Sequence, residues 1–295
     1  MELQIQNERY HFHRDVGKHP VLRTGFMRLA KQTFGIDFRP WYEQGFWDDH
    51  FLPYVLTFEG EVVASVCVNL LPVRTESQKK LYVQLGGVMT AHDFWGRGLS
   101  RTLMQQVLDD WKSQCDVLYL YANDSVIDYY PRFGFERNQE MGFQLNAKGN
   151  ALEMQRLDPF HDKDQWQMRQ CFLQGNPYAS FQVDTFNLLI FYSLLLYKND
   201  VYYLPELNTL LIAKEREHHW TCYDIFGNCT LPLSELLGCL RPNQELEVDL
   251  GFTPMHKQGV IEYPLQEEDT TLFVHKDLEN PFQQTKMRMP LLSRA

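Results

Sequence analysis

The sequence predicts a mixed α/β chain of about two domains, and three observations predict it. Within residues 54–122, two strand-like runs, a third strand, a glycine-containing loop, an amphipathic helix and a further strand follow one another. The second half again mixes helical and strand periodicities. The length of 295 residues amounts to about two domains at roughly 150 residues each.

Taken in order, Tyr54 to Phe58 and Val62 to Val68 are apolar, β-branched runs flanking Glu59-Gly60, which predicts a tight hairpin. Residues 81–90 read as the next strand. From Leu99, apolar residues recur at Leu103, Met104, Val107, Leu108 and Trp111, while Gln105, Gln106, Asp109, Asp110 and Lys112 take the other face, which predicts a helix lying on a sheet. Residues 117–122 are a short continuous apolar run, so a right-handed crossover and a parallel strand pair follow. Ser125-Val126-Ile127-Asp128 has the form of a helix start and Gly134 of a stop, which leaves a very short helix.

The polar segment Asn146-Ala147-Lys148-Gly149-Asn150 places a domain boundary near residue 148, dividing the chain into 1–148 and 149–295. Beyond it, periodicity predicts helices at 163–174 and 184–198 and strands at 201–205, 208–215 and 218–225. A short helix from Pro232 and strands at 245–250 and 271–275 complete the half. No repeat is visible residue by residue. The order of strands, loop and helix does recur from Trp220 through Gly227-Asn228-Cys229-Thr230-Leu231 into Pro232, which suggests a degenerate second copy.

Composition narrows the function. With 28 basic and 38 acidic residues the formal charge is -10, which disfavours a nucleic-acid partner and suits a cationic small molecule. The N-terminus lacks a basic segment leading into an apolar run, and the longest apolar stretch, 186–197, is too short to cross a membrane, so it is expected to be a buried helix. Six scattered cysteines without C-x-x-C suggest neither a disulfide framework nor a zinc knuckle and fit reduced thiols in a cytoplasm. His218-His219 would face opposite ways in a strand, so no metal site is expected. The tail 287–295 ends in apolar residues and reads as docked.

The segment from Gln84 to Arg101 is a strand that ends in a glycine-containing turn and opens a helix. Gly96 and Gly98 permit backbone angles closed to other residues. Successive N–H groups at the helix start, aided by Arg97 and Arg101, make an anion cradle. A plain strand-to-helix turn is the alternative. A dinucleotide fingerprint needs glycine where Arg101 stands, and a P-loop needs Gly-Lys-Ser/Thr, so neither matches.

These residues resemble the GCN5-related N-acetyltransferase (GNAT) family, whose acetyl-coenzyme A loop reads Arg/Gln-x-x-Gly-x-Gly/Ala. Here it stands as Trp95-Gly96-Arg97-Gly98-Leu99-Ser100, departing from the pattern at Trp95 and Ser100. Downstream, Asn123 and Tyr130-Pro131-Arg132-Phe133-Gly134-Phe135 match the family's asparagine and Tyr-x-x-x-Gly-Phe. The resemblance covers roughly residues 10 to 145.

The resemblance implies a mixed sheet splayed open between the strands at 81–90 and 117–122, with the pantetheine arm of acetyl-coenzyme A in the gap. Val88 and Thr90 would bond the arm through their backbones, the pyrophosphate would lie over Trp95 to Arg101, and the Val88 and Met89 amides would polarise the thioester carbonyl. Tyr130 would protonate the departing thiolate. Asn123 would touch the cofactor or serve only as a helix cap. The second half would be a degenerate transferase-like unit that completes the acceptor cleft.

The implied activity is acetyl transfer to a primary amine, of a small molecule before a protein. Residues 34–50, aromatic and acidic, would wall the acceptor site or pack as a helix end in the core. No single general base is identified: the amine would shed its proton through a side chain, with candidates in residues 34–50, or through ordered water. A non-catalytic module that senses acyl-coenzyme A is the alternative, and a homo-oligomer is compatible with a sequence that does not fix the oligomeric state.

Overall fold

In a computed structural model that describes residues 1–294 apart from 15, 76, 77 and 218, the chain opens with a hairpin of β1 (Glu2–Ile5) and β2 (Glu8–His13). Gln6 and Asn7 turn it, both at positive φ. Proline at the first position starts α1 (Pro20–Phe34), where its missing N–H has no helical partner to lose, and left-handed Gly35 ends it. After α2 (Arg39–Glu43), β3 (Phe51–Phe58) and β4 (Glu61–Arg74) form the predicted hairpin across Glu59 and Gly60.

β5 (Lys79–Thr90), α3 (Leu99–Trp111) and β6 (Val117–Ala122) form the predicted crossover. α3 buries Leu99, Leu103, Met104, Val107 and Leu108, the stripe its periodicity marked, each stabilising by about 1.5–3 kcal/mol. The short helix expected at Ser125 is two 3-10 turns, Asp124–Val126 and Tyr130–Phe133, the second stopped by left-handed Gly134. β7 (Phe135–Asn138) and β8 (Met141–Lys148) follow.

Next come β9 (Gln155–Arg156), α4 (Asp162–Gln174), β10 (Gln182–Val183) and α5 (Phe186–Leu195). β11 (Val201–Leu204), β12 (Thr209–Arg216), β13 (His219–Gly227), α6 (Leu233–Leu237) and β14 (Glu245–Leu250) then follow the predicted order. β15 (Val260–Pro264), β16 (Thr271–His275) and α7 (Pro281–Gln284) close the chain.

The strands assemble into two mixed sheets. The first runs β1-β2-β3-β4-β5-β6-β16-β7 with β10 on β4, and the second runs β15-β8-β14-β13-β12-β11-β9. Strands are exchanged across residue 148 in both directions. β16 lies between β6 and β7, antiparallel to each, and β8 lies between β15 and β14 in the second sheet.

The same order of elements recurs in the two halves. In each half three antiparallel strands lead through a helix to a strand parallel to the third: β3-β4-β5, α3, β6 and β11-β12-β13, α6, β14. Each half also carries a bulge on its third strand, at Gly87-Val88 and at Tyr223. One core is common to both halves, with Phe26, Leu29 and Trp41 packed together with Phe172, Ile190 and Tyr223.

α5, the long apolar stretch, is a core element, and among the described residues no helix is long and apolar enough to cross a membrane. All six cysteines are free thiols. Among the described residues no cluster of three potential metal ligands exists; His219 pairs with Asp249 at 2.7 Å, and His218 lies outside the described residues. The tail is docked as far as Arg294, while Ala295 lies outside the described residues.

Candidate functional site

β5 and β6 are paired only from Tyr82 opposite Val117 to Leu85 opposite Leu120, and beyond that point they part. The cause lies on β5. Cys67 faces Gly86 and Ser65 faces Met89, so Val66 alone stands opposite Gly87 and Val88. A bulge of this kind bends its strand and leaves backbone groups unpaired. Only glycine suits Gly87, whose φ is +52° and where a Cβ would meet the Cys67 sulfur at 2.7 Å.

The loop beyond β5 is shaped as an anion cradle. Gly96 and Gly98 have φ of 74° and 81°, with open space where side chains would stand. No side chain caps α3, so its first N–H groups are turned toward the loop. Buried Leu99 anchors the helix start, and the Ser100 and Thr90 hydroxyls meet at 2.6 Å, tying it to the end of β5. Arg101 is exposed at this end of the helix.

Two side chains of the loop have partners within the protein. Arg97 donates to Glu8 at 2.6 Å and to the Asp93 carbonyl at 3.0 Å, with its guanidinium over the Phe94 ring, so the charge expected at the cradle is neutralised from β2. Trp95, 66% exposed, donates its indole N–H to the Thr90 carbonyl at 2.8 Å, across the end of β5. Val88 is half-buried on the α3 face, and Met89 is buried on the other face.

Asn123 follows β6 and is exposed. Its side chain donates to Asp269 at 2.7 Å, and Asp269 also accepts from the Asp124 N–H at 2.7 Å. It makes no helix cap. Tyr130 is buried, ringed by Tyr129, Phe135 and Phe273, and burial pushes its hydroxyl pKa up to about 12. The phenol therefore keeps its proton throughout the neutral range.

Cys67 and Met89 alternate with the α3-facing Val66 and Val88 and line a cavity of about 470 Å³ on the far face of the sheet. It starts at Gly86 and Gly87, where the strands part. Phe38, Trp41 and Phe51 wall it from the first half, and Phe186, Phe191 and Tyr192 from the second. Within the 34–50 segment Trp41 and Phe46 are core, while Phe34, Asp48 and His50 line the cavity.

Asp48 and His50 line the cavity as a hydrogen-bonded pair that the sequence offered only as members of the 34–50 segment. The His50 Nδ1 lies 2.9 Å from Asp48, Asn187 donates to Asp48 at 2.6 Å, and the Trp41 indole donates to the Asn187 carbonyl at 2.7 Å. Burial opposes ionisation of Asp48, but hydrogen bonds from the His50 ring and backbone and from Asn187 outweigh it and hold the carboxyl below its usual range. The Asp48 hydrogen bond in turn raises His50 above an ordinary histidine, against partial burial. The one local signal was Asp-x-His; Asn187 comes from the other half.

Residues 24–135 match the acetyltransferase (GNAT) family. Three solved structures resemble the chain over nearly its whole length. One is a conserved protein of unknown function from Enterococcus faecalis V583, described as a probable N-acyltransferase (14% identity, 90% of this chain and 72% of that one, TM-score 0.61). The others are a GCN5-related N-acetyltransferase from Kribbella flavida (13%, 90% and 70%, 0.52) and Eis1 from Mycobacterium abscessus (12%, 89% and 72%, 0.53). At such identities the likeness is one of fold. No curated protein matches the sequence.

Proposed function

Because residues 24–135 form a domain of the GNAT acetyltransferase family, whose chemistry is acyl transfer from acyl-coenzyme A, we propose that this chain acetylates a primary amine of a small molecule. The observation that carries the reading is the parting of β5 and β6 after Leu85, directly before a loop with two left-handed glycines and an uncapped helix start. Bound acetyl-coenzyme A would supply the thioester. The backbone from Trp95 to Arg101 holds its pyrophosphate, chiefly through N–H groups of Gly96, Gly98, Leu99 and Ser100, since the Arg97 side chain is engaged by Glu8.

Val88 and Thr90 bond the pantetheine arm, and the Val88 and Met89 amides polarise the carbonyl. As the amine nitrogen bonds to the acyl carbon and the carbon–sulfur bond breaks, Tyr130 gives its proton to the sulfur, and the proton that the acylated nitrogen sheds restores the phenol. The amine enters through the cavity, which supports a role for residues 149–295 in completing the acceptor cleft. That half is tested in the full chain, because a truncation near residue 148 would remove β16 from between β6 and β7. Phe191→Ala should raise the acceptor KM and leave acetyl-coenzyme A affinity unchanged.

The experiment that tests the function is a panel of amines, polyamines, aminoglycosides and lysine peptides assayed for free coenzyme A thiol. Binding without turnover would favour a sensor, a reading supported by Trp95 lying over the Thr90 carbonyl.

A further inference from the structure

We infer that His50 is the proton acceptor for the incoming amine, oriented by Asp48 and Asn187. This rests on the acyl-transfer reading and assigns the one role that it leaves empty. An alkylammonium must lose a proton before its nitrogen can attack, and a histidine facing the acceptor is suited to take it.

Four observations place the role there. His50 is half-exposed and lines the same cavity as Gly86, Gly87 and Met89, so the base and the proposed reaction site share one open cavity. Its Nδ1 is held 2.9 Å from Asp48, which leaves Nε2 as the ring nitrogen that can face a ligand. Asp48 is fixed in turn by its bond to the His50 N–H at 3.0 Å and from Asn187 at 2.6 Å. Asn187 itself is anchored to Trp41, so the base is oriented from both halves of the chain.

Among the described residues that line the cavity, burial pushes the Cys67 thiol and the Tyr192 hydroxyl up so that both keep their protons, and the other charged groups are engaged elsewhere. Asp49, next to His50, lies 3.9 Å from Lys18. Across the cavity Asp184 is paired with Arg74 at 3.2 Å, and Arg294 is held by Glu140 and Glu267. Asp48 and Asp49 both favour the protonated ring, so the pair takes a proton readily and passes it to solvent through the exposed edge of His50.

The test is the pH dependence of kcat/KM for the full chain, read by thiol release with the best amine of the panel. Wild type should show an acidic limb set by His50, its midpoint above that of an unperturbed histidine. His50→Gln should lower kcat/KM by about 10²-fold or more and abolish the limb, with calorimetric affinity for acetyl-coenzyme A unchanged. Asp48→Asn should move the limb to lower pH, which a merely structural role would not do, and it carries the test if His50→Gln does not fold. Thiol release by His50→Gln within twofold of wild type, with its acidic limb intact, overturns the assignment of His50 alone. Wild type that releases no thiol with any amine overturns the acyl-transfer reading and this assignment with it.

Discussion

Arg294 donates to Glu140 at 2.5 Å across 154 residues of chain, and both side chains are nearly out of solvent. Glu267 accepts from Arg294 and, at 3.2 Å, from Arg288, and the Arg294 guanidinium lies 4.6 Å over the Tyr121 ring. Burial raises the Glu140 pKa despite Arg294, so the carboxylate depends on this partner to stay ionised. The tail is thereby fixed to the start of β8 and to the end of β6.

Arg294→Ala should therefore destabilise the fold by about 3–5 kcal/mol, because it leaves a charge buried without its counterion. Urea denaturation at pH 7 checks this, and the loss should shrink in acid, where Glu140 takes up a proton. A loss under about 1 kcal/mol would mean that the pair is dispensable.

Gly98→Glu should reduce acetyl-coenzyme A affinity at least 100-fold. A side chain at φ 81° strains the turn by about 1–2 kcal/mol, and its carboxylate would stand where the diphosphate belongs. Gly98→Ala, which adds strain without charge, should lose much less. Calorimetry separates the two, and equal losses would remove the electrostatic part of the explanation.

Tyr130→Phe should lower kcat by roughly 10²-fold or more while acetyl-coenzyme A affinity changes little. Burial pushes the Tyr130 pKa up to about 12, so the wild-type rate should show no alkaline decline from this group below about pH 11. A kcat for the variant equal to wild type at every pH would take Tyr130 out of the chemistry.

Asp224 is fully buried on β13, accepts from Asn176 at 2.6 Å, and is pushed by that burial to a pKa of about 7. The folded state thus holds a proton that the unfolded chain releases near pH 3.9. Stability is undiminished below that pH, falls as pH rises toward 7, and is level above it. Asp224→Asn should abolish this slope and raise stability at pH 8 by about 2–4 kcal/mol, as measured by thermal melts at pH 4 and pH 8. A gain that is the same at both pH values would contradict it.

Local pattern located α3, β6, β14 and β16 because each has an apolar period that its burial satisfies. It could not say that β16 pairs with β6 and β7, since period marks a strand and not its neighbours. The β1-β2 hairpin escaped notice because only Tyr10 is buried in it and the rest is half-buried or exposed, and β9 and β10 because two residues carry no period. The glycine loop was legible because backbone geometry selects glycine locally. The destinations of Arg97 and Asn123 were not, being decided by Glu8 and Asp269, far away in sequence.

The insertion of β16 between β6 and β7 governs the order in which the molecule can be built. A ribosome delivers both flanking strands early, yet the slot between them stays vacant until everything from Asn138 to Thr271 has been synthesised. During that interval the nascent chain presents two bare strand edges, the kind of surface that recruits foreign strands. The sheet that starts first is therefore the last to be sealed.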